Sequence, residues 1–312
     1  MGKFQNSWDA FRTSLNVMEK NKKLIIFPVL TAAMTAVIFL FFIAPIALRP
    51  TGYHYSQPEH WKAVASQVFE GKPAHVESAQ AADRNSVLVF TPQGAAYLTL
   101  LYFFSMFFST FFNVAFTKAV LDALRDSRVS IGAALRFAGT KVRCILFWSL
   151  FAGLVGLLIR KLEQQFSFIG RIVIGFIGMA WSVAAVFAIP AIVTEQVANP
   201  LDILRKSAET LKKTWGESLV GYAGLQFGGI IAILISIVFL GAGFYAAVAL
   251  NSLTIGLLTA LGWLGSLSAF AYLSGVAGQI YKCVLFVYAT EGTVPAGYSR
   301  EMLDMAWSIK KQ

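Results

Sequence analysis

The sequence has few charged residues. Only 13% of its 312 residues are Asp, Glu, Lys or Arg, whereas 57% are apolar and 14% aromatic, and the mean hydropathy is +0.64. Soluble globular chains carry about 25% charged residues. So little charge excludes a water-soluble fold of this length. The composition predicts an all-α, multi-pass membrane protein, because helices satisfy their own backbone hydrogen bonds in lipid.

Residues that carry catalysis or bind metal ions are also scarce. Cys144 and Cys283 are isolated, and His54, His60 and His75 share one loop with no acid or cysteine at ligand spacing. The chain has no P-loop, nucleophile-elbow serine, H-E-x-x-H or dinucleotide-binding motif. We therefore expect no enzymatic activity, no metal site and no cofactor.

Long apolar runs predict where the chain crosses the bilayer, since a helix needs about 20 mostly apolar residues to span ~30 Å of hydrocarbon. We predict six spans, at residues 24–48, 95–120, 144–159, 172–194, 219–250 and 262–290, with a turn at 251–254 that at its longest reaches 263. The third span is short, so the third and fourth also suit a re-entrant hairpin. The 49–93 loop shows helical spacing around Trp61 and a strand pattern at 86–90.

Basic residues near the span ends predict the orientation. With six spans, 18 of the 26 Lys and Arg residues fall on the side that holds both termini, and seven fall on the other side. This asymmetry predicts that both termini are cytoplasmic.

Short amphipathic segments precede the odd-numbered spans and align on Arg12, Arg136 and Arg205. Counted from each arginine, apolar residues lie at positions −4, −1, +3 and +6, which is the spacing of one helix face. The middle copy has the same spacing but smaller side chains at these positions. We predict one membrane domain of three repeat units, each an amphipathic helix with two spans, at 1–121, 127–195 and 197–290. An amphipathic tail at 291–312 follows.

We expect these helices to lie along the cytoplasmic interface, where cationic and aromatic side chains contact headgroups. Asn199 and Pro200 predict the start of the third helix, and Ser7 and Asp9 that of the first. The expected partners are anionic lipids, a further copy of the chain or another membrane protein, with no nucleic acid. The residues predicted at the interface are Trp8, Arg12, Arg136, Arg205, Trp215 and Trp307.

Polar residues inside the spans mark a candidate site or hydrogen bonds between helices. The candidates are Asn113, Lys118, Gln226, Gln279 and Lys282. The two lysines are also placed to reach headgroups. Asp126, Glu195 and Glu291 stand where spans emerge, so we predict structural ion pairs there, with basic neighbours such as Arg205 or Lys282.

Several motifs resemble those of a known family. They are the Pro-Ala-Ile-Val-Thr-Glu run at 190–195, the basic helix at 200–207 with Trp215, the segment from Phe4 to Trp8, and Tyr-Ala-Thr-Glu-Gly at 288–292. Together they resemble a family of uncharacterised bacterial integral membrane proteins of about 300 residues. More distantly, residues 186–230 resemble the membrane domain beside glycerophosphodiester phosphodiesterases. The resemblance implies a helical inner-membrane protein and no reaction.

Three functions are compatible with these features. The first is a structural, assembly or accessory component whose basic helices contact the cytoplasmic interface. The alternative is a transporter or channel for a small or amphipathic solute, for which a cavity lined by the intramembrane amides would be the sign. The third is a lipid-handling protein, for which the sign would be a lateral groove with Arg or Lys at headgroup level.

Overall fold

The computed structural model describes residues 3–66, 92–195, 199–214, 218–300 and 303. These residues form α-helices joined by short connections and include no strand, so the predicted all-α class is confirmed. The helices are α1 (Lys3–Lys20), α2 (Ile26–Ala47), α3 (Pro58–Ala65), α4 (Pro92–Leu124), α5 (Ile131–Thr140), α6 (Val142–Gln165), α7 (Phe168–Ala184), α8 (Ala188–Thr194), α9 (Pro200–Thr214), α10 (Ser218–Ala249) and α11 (Leu253–Glu291). A 3-10 turn, Lys22–Ile25, joins α1 to α2.

Five helical segments in the described ranges are long and apolar enough to cross a membrane. They are Lys22–Ala47, Gly94–Leu124, Val142–Gln165, Gly170–Thr194 and Leu253–Glu291. The prediction of a short third span is wrong, because α6 continues through Arg160 and Lys161 to reach 24 residues. The predicted span at 219–250 coincides with α10, of which Ser236–Ala249 counts as a shorter apolar helix.

Most of the buried apolar side chains form one cluster, which we call the base layer. It comprises α1, α5, α8 and α9, together with Leu24, Phe27, residues 114–124 of α4, 144–148 of α6 and 276–288 of α11. Val114, Ile145, Ile192 and Val284 are completely buried there. The base layer is therefore the part of the molecule held together by its own apolar packing.

Outside the base layer, the long helices expose large apolar side chains. Phe41 is 72% exposed, Phe239 is 73% exposed and Leu253 is 81% exposed. A surface of this kind is stable against acyl chains rather than water. The described side chains of α2, α4, α6, α7, α10 and α11 beyond the base layer thus form an apolar surface suited to contact with lipid.

This division explains the length of α11, which has 39 residues. Its final part, residues 276–288, is buried in the base layer. The preceding stretch, 253–275, measures about 34 Å at 1.5 Å per residue, close to the ~30 Å of a bilayer's hydrocarbon. The ends of α4 and α11 meet in an ion pair between Arg125 and Glu291, so these two helices enter the base layer side by side.

Aromatic contacts hold α2 antiparallel to α4. The ring centroids of Phe27 and Phe116 lie 5.7 Å apart near the base layer, and those of Phe42 and Tyr97 lie 5.2 Å apart at the far end. The Tyr97 hydroxyl also donates a hydrogen bond to the Phe42 carbonyl, at 2.6 Å. The two helices therefore stay in contact along most of their length.

The fourth span is interrupted where it enters the base layer. Between α7 and α8, residues 185–187 form turns, and Pro190 follows in α8. Proline has no N–H, and its ring clashes with the carbonyl four residues earlier, here that of Val186. From the sequence, Pro190, Gly241 and Gly243 are candidate positions for helix kinks. Pro190 lies close to a break, whereas α10 continues without a break through both glycines.

The turn between α10 and α11 is shorter than its longest predicted extent. Asn251 adopts φ 47°, a left-handed conformation that asparagine tolerates better than most residues, and α11 begins at Leu253. The turn at 251–252 is thus confirmed, and its extension to Trp263 is wrong. A Cβ atom added to Gly243 would collide with the side chain of Thr259, which shows how closely the two helices approach.

The loop at 49–93 is described up to residue 66 and contains α3. His60 is buried, and both of its ring nitrogens are engaged, Nδ1 with Thr51 Oγ1 at 2.6 Å and Nε2 with the Ala47 carbonyl at 3.0 Å. This histidine fixes the loop to the end of α2. The strand predicted at 86–90 and His75 lie outside the described residues.

Candidate functional site

Helices α1, α5 and α9, which carry the three aligned arginines, bury corresponding positions. Two residues before each arginine are Ala10, Ala134 and Ile203, each 1% exposed; two residues after it are Ser14, Ala138 and Ser207, each 0% exposed. The buried face is therefore centred on these positions. The predicted face is rotated from it, since Gly132, Gly139 and Leu201 are exposed.

The arginines lie opposite the buried positions. Arg12, Arg136 and Arg205 are all exposed, and Arg205 pairs with Glu209 on its own helix at 3.0 Å. The base layer thus carries basic side chains on its outer surface. The interfacial location predicted for the three tryptophans stays a prediction. The side chain of Trp8 and all of Trp215 and Trp307 lie outside what the structure describes.

The buried serines join the amphipathic helices to other parts of the chain. Ser14 Oγ lies 2.7 Å from the hydroxyl of Tyr298, in the segment after α11. Ser207 Oγ accepts from Phe187 N at 3.0 Å and donates to the Ala184 carbonyl at 2.5 Å, so it bonds both sides of the break between α7 and α8. A search for periodic bulky residues does not identify these serines. They can be recognised because each lies two residues after its aligned arginine.

The helix starts agree in part with prediction. Asn199 Oδ1 accepts a hydrogen bond from Leu201 N, so Asn199 caps α9 as expected. The predicted start at Ser7 and Asp9 is wrong, because α1 already begins at Lys3. Ser130 caps α5 by accepting from Ala133 N at 3.4 Å.

The ion pairs at the base layer involve other partners than those predicted. Glu195 pairs with Lys206 at 2.9 Å, and Glu291 pairs with Arg125 at 2.5 Å, rather than with Arg205 and Lys282. Helix packing, which the sequence does not display, decides which base is nearest. Among the described residues no ion pair includes Asp126, which has φ 51° in the turn after α4.

The two lysines predicted to lie inside the spans differ in their surroundings. Lys118 pairs with Asp122 one turn later and lies 5.7 Å from the centroid of the Phe137 ring. Lys282 is half-buried and has no ion-pair partner among the described residues. Lys118 therefore belongs to the base layer as a structural contact. The Gln226 side chain lies outside the described part of the chain.

The remaining amides, Asn113 and Gln279, line one cleft. It has a volume of about 690 Å³ and lies between α2, α4 and α11, at the boundary of the base layer. Ligand pockets commonly measure ~300–1,000 Å³. The structure thus brings together two of the five predicted intramembrane polar residues. The α2 wall was not predicted; it consists of small and aromatic residues that recur at helical spacing, from Phe27 to Phe39.

Comparison with known proteins gives a family and no function. The profile of a "family of unknown function (DUF6159)" matches residues 93–296. No curated protein and no solved structure matches. Nothing in these comparisons supports the more distant likeness to the membrane domain beside glycerophosphodiester phosphodiesterases.

Proposed function

The chain belongs to the DUF6159 family of unknown function, and we propose that it is a non-enzymatic, multi-pass inner-membrane protein that acts as a structural, assembly or accessory component. In this proposal the base layer lies against the cytoplasmic leaflet. Its exposed arginines bind anionic headgroups or a membrane-protein partner. The observation that carries the proposal is the shared arrangement of α1, α5 and α9, each with a buried pair of residues opposite one exposed arginine.

The six-span topology is part of the proposal. The 32 residues of α10 reach about 48 Å at 1.5 Å per residue, which exceeds the ~30 Å of the hydrocarbon. Together with the five apolar segments, α10 would give an even number of crossings and place both termini on one side. The excess of Lys and Arg on that side supports a cytoplasmic location.

Charge reversal tests the headgroup contact. We expect the triple variant Arg12→Glu, Arg136→Glu, Arg205→Glu to retain less phosphatidylglycerol during purification, since each arginine near an anionic surface contributes about 1 kcal/mol. Native mass spectrometry counts the bound lipids and reports the assembly size. The matched control is Arg160→Glu with Arg171→Glu, at the other ends of α6 and α7, which should leave lipid retention unchanged.

An unchanged triple variant would contradict the proposal. If the triple variant keeps the lipid count, the assembly size and the recovered partners of the wild type, the arginines have no accessory role. Alkaline phosphatase fused to either terminus tests the orientation independently. Activity of that reporter, which requires export, would contradict cytoplasmic termini.

Two further functions remain hypotheses for the same chain. Transport of a small or amphipathic solute and lipid handling both require a place for a molecule within the membrane part. The cleft between α2, α4 and α11 is the observation that supports them, but its described lining does not include the Arg or Lys expected of a lipid-handling groove.

A further inference from the structure

The cleft opens sideways, towards the lipid-facing surface. Its floor is formed by buried side chains, among them Phe27, Phe116 and Val276. Its rim is formed by exposed residues of α2 and α11, including Phe39 and Gly275. An occupant could therefore enter from the surrounding acyl chains without passing through the bundle.

The two ends of the cleft differ in polarity. Asn113 and Gln279 lie beside Phe116 and Val276, where α4 and α11 enter the base layer. From Phe27 the α2 wall continues for 12 residues to Phe39, about 18 Å of helix at 1.5 Å per residue. The polar end thus faces the base layer, and the other end extends into the apolar part of the spans.

The side-chain amides at the polar end have hydrogen-bonding capacity that no described residue satisfies. No hydrogen bond joins the side chain of Asn113 or Gln279 to another described residue, whereas the hydroxyls of Thr31 and Tyr272 donate to backbone carbonyls. A primary amide offers two donors and one acceptor oxygen, and leaving them unpaired in hydrocarbon is unfavourable. Among the described residues that line the cleft, none carries a formal charge.

We propose that this cleft binds one molecule of a neutral amphiphile. Its uncharged hydroxyl, carbonyl or amide headgroup pairs with Asn113 and Gln279, and its hydrocarbon chain lies along α2 towards Phe39. A charged headgroup is disfavoured, because the described lining residues offer no counter-charge and desolvating an unpaired charge is unfavourable. The site does not depend on the basic surface of the base layer.

Photo-crosslinking of the full-length protein in nanodiscs of zwitterionic phospholipid tests the site. The probe is a long-chain alcohol with a diazirine on its chain, and the comparison probe is the corresponding alkyl sulfate. We expect the alcohol to label peptides of α2 and α11 beside the cleft, and the sulfate to label them much less. Equal labelling by both probes would show an unselective groove and overturn the proposal.

Filling the cleft provides the decisive variant. Gly275 lines the cleft, and a Cβ atom added to it would meet nothing within 4 Å, so we choose Gly275→Leu to fill the cleft. We expect this variant to lose the alcohol labelling. Gly265→Leu is the matched control, because Gly265 is on the same helix with equally open space and does not line the cleft. It should label like the wild type.

Removing the amides tests the headgroup contact. We expect the double variant Asn113→Leu, Gln279→Leu to bind the alcohol roughly tenfold less tightly, about 1.4 kcal/mol, while labelling by a diazirine alkane stays unchanged. A loss of both labels together would contradict the assigned headgroup.

Two results with Gly275→Leu would refute the site. If the variant keeps the alcohol label, the cleft does not hold the alcohol. If the variant instead changes the mass of the particle, the cleft is a contact between copies of the chain. Phosphatidylglycerol retention by Gly275→Leu should equal that of the wild type, so failure of this site and failure of the arginine surface are distinguishable.

Discussion

The hydroxyls of Ser14 and Tyr298 lie 2.7 Å apart although 284 residues separate them in the chain. Ser14 also donates to the Ala10 carbonyl, at 2.9 Å, so its bond with Tyr298 uses the Tyr298 O–H as donor. Both side chains are buried, at 0% and 8% exposure. The contact joins α1 to the segment that follows α11 and closes the base layer.

Removing this hydrogen bond should weaken the fold. We expect Tyr298→Phe to lower the free energy of unfolding by about 0.5–1.5 kcal/mol, the net contribution of a typical hydrogen bond. Reversible unfolding in mixed detergent micelles measures it. Tyr245→Phe is the control, because Tyr245 is 77% exposed. An equal loss in both variants would show that the Ser14 contact is not responsible.

The same contact predicts a pH dependence. Burial raises the pKa of the Tyr298 hydroxyl above its ordinary value, with the Ser14 hydrogen bond acting in the opposite direction; Tyr281 and Cys283 lie nearby. The unfolded chain loses this proton near pH 10, whereas the folded protein still holds it. The stabilising contribution is therefore complete below about pH 10 and is lost as the pH rises through the folded pKa. We expect Tm to fall above pH 10, and to fall less in Tyr298→Phe. An identical alkaline slope in both proteins would contradict this.

At the interruption of the fourth span, the Ser207 hydroxyl bonds backbone groups on both sides of the break. Ser207→Ala leaves the Phe187 N–H and the Ala184 carbonyl without the hydroxyl that bonds both. Because an unsatisfied buried polar group costs about 1–3 kcal/mol, we expect a loss of that size in the free energy of unfolding. Ser182→Ala is matched to it, since the Ser182 hydroxyl is exposed and bonds within its own helix. A loss no larger than that of the control would mean that water or a neighbouring group replaces the serine.

Exchanging the charges of Arg125 and Glu291 tests the pairing of α4 with α11. Both side chains are more than one-third exposed, at 55% and 38%, so solvent screens the pair and we expect each single reversal to cost less than about 1 kcal/mol. The double exchange, Arg125→Glu with Glu291→Arg, should recover most of that loss. Thermal unfolding of the four proteins gives the coupling energy. Additive losses in the double variant would show that the pair contributes nothing.

The positions of most long helices are predictable from the sequence, because a helix that crosses lipid requires a long uncharged run of residues. The turn at Asn251 and the cap at Asn199 are recognisable from local chemistry alone. The end of α6 is not, since Arg160 and Lys161 resemble a membrane boundary although the helix continues beyond them. A charge near a span end marks the interface only approximately, because long side chains reach water from inside a helix.

The candidate site is less predictable. Asn113 and Gln279 stand out in sequence as polar residues in apolar spans, but only the packing of α2 shows that they share a cleft. The buried face of α1, α5 and α9 is centred on alanine and serine as well as isoleucine. A search for bulky residues misses it, since close helix packing favours small side chains.

Because most buried side chains gather in the base layer, the outer halves of the spans have fewer contacts of their own and depend more on neighbouring lipid. Stripping lipid should therefore separate the molecule into a rigid portion and a loosened portion rather than unfold it at once. Amide deuterium uptake during delipidation should rise early around Leu253 and Phe41 and late around Val284. The protein would then keep the packing of the base layer after the remaining parts of the spans had loosened.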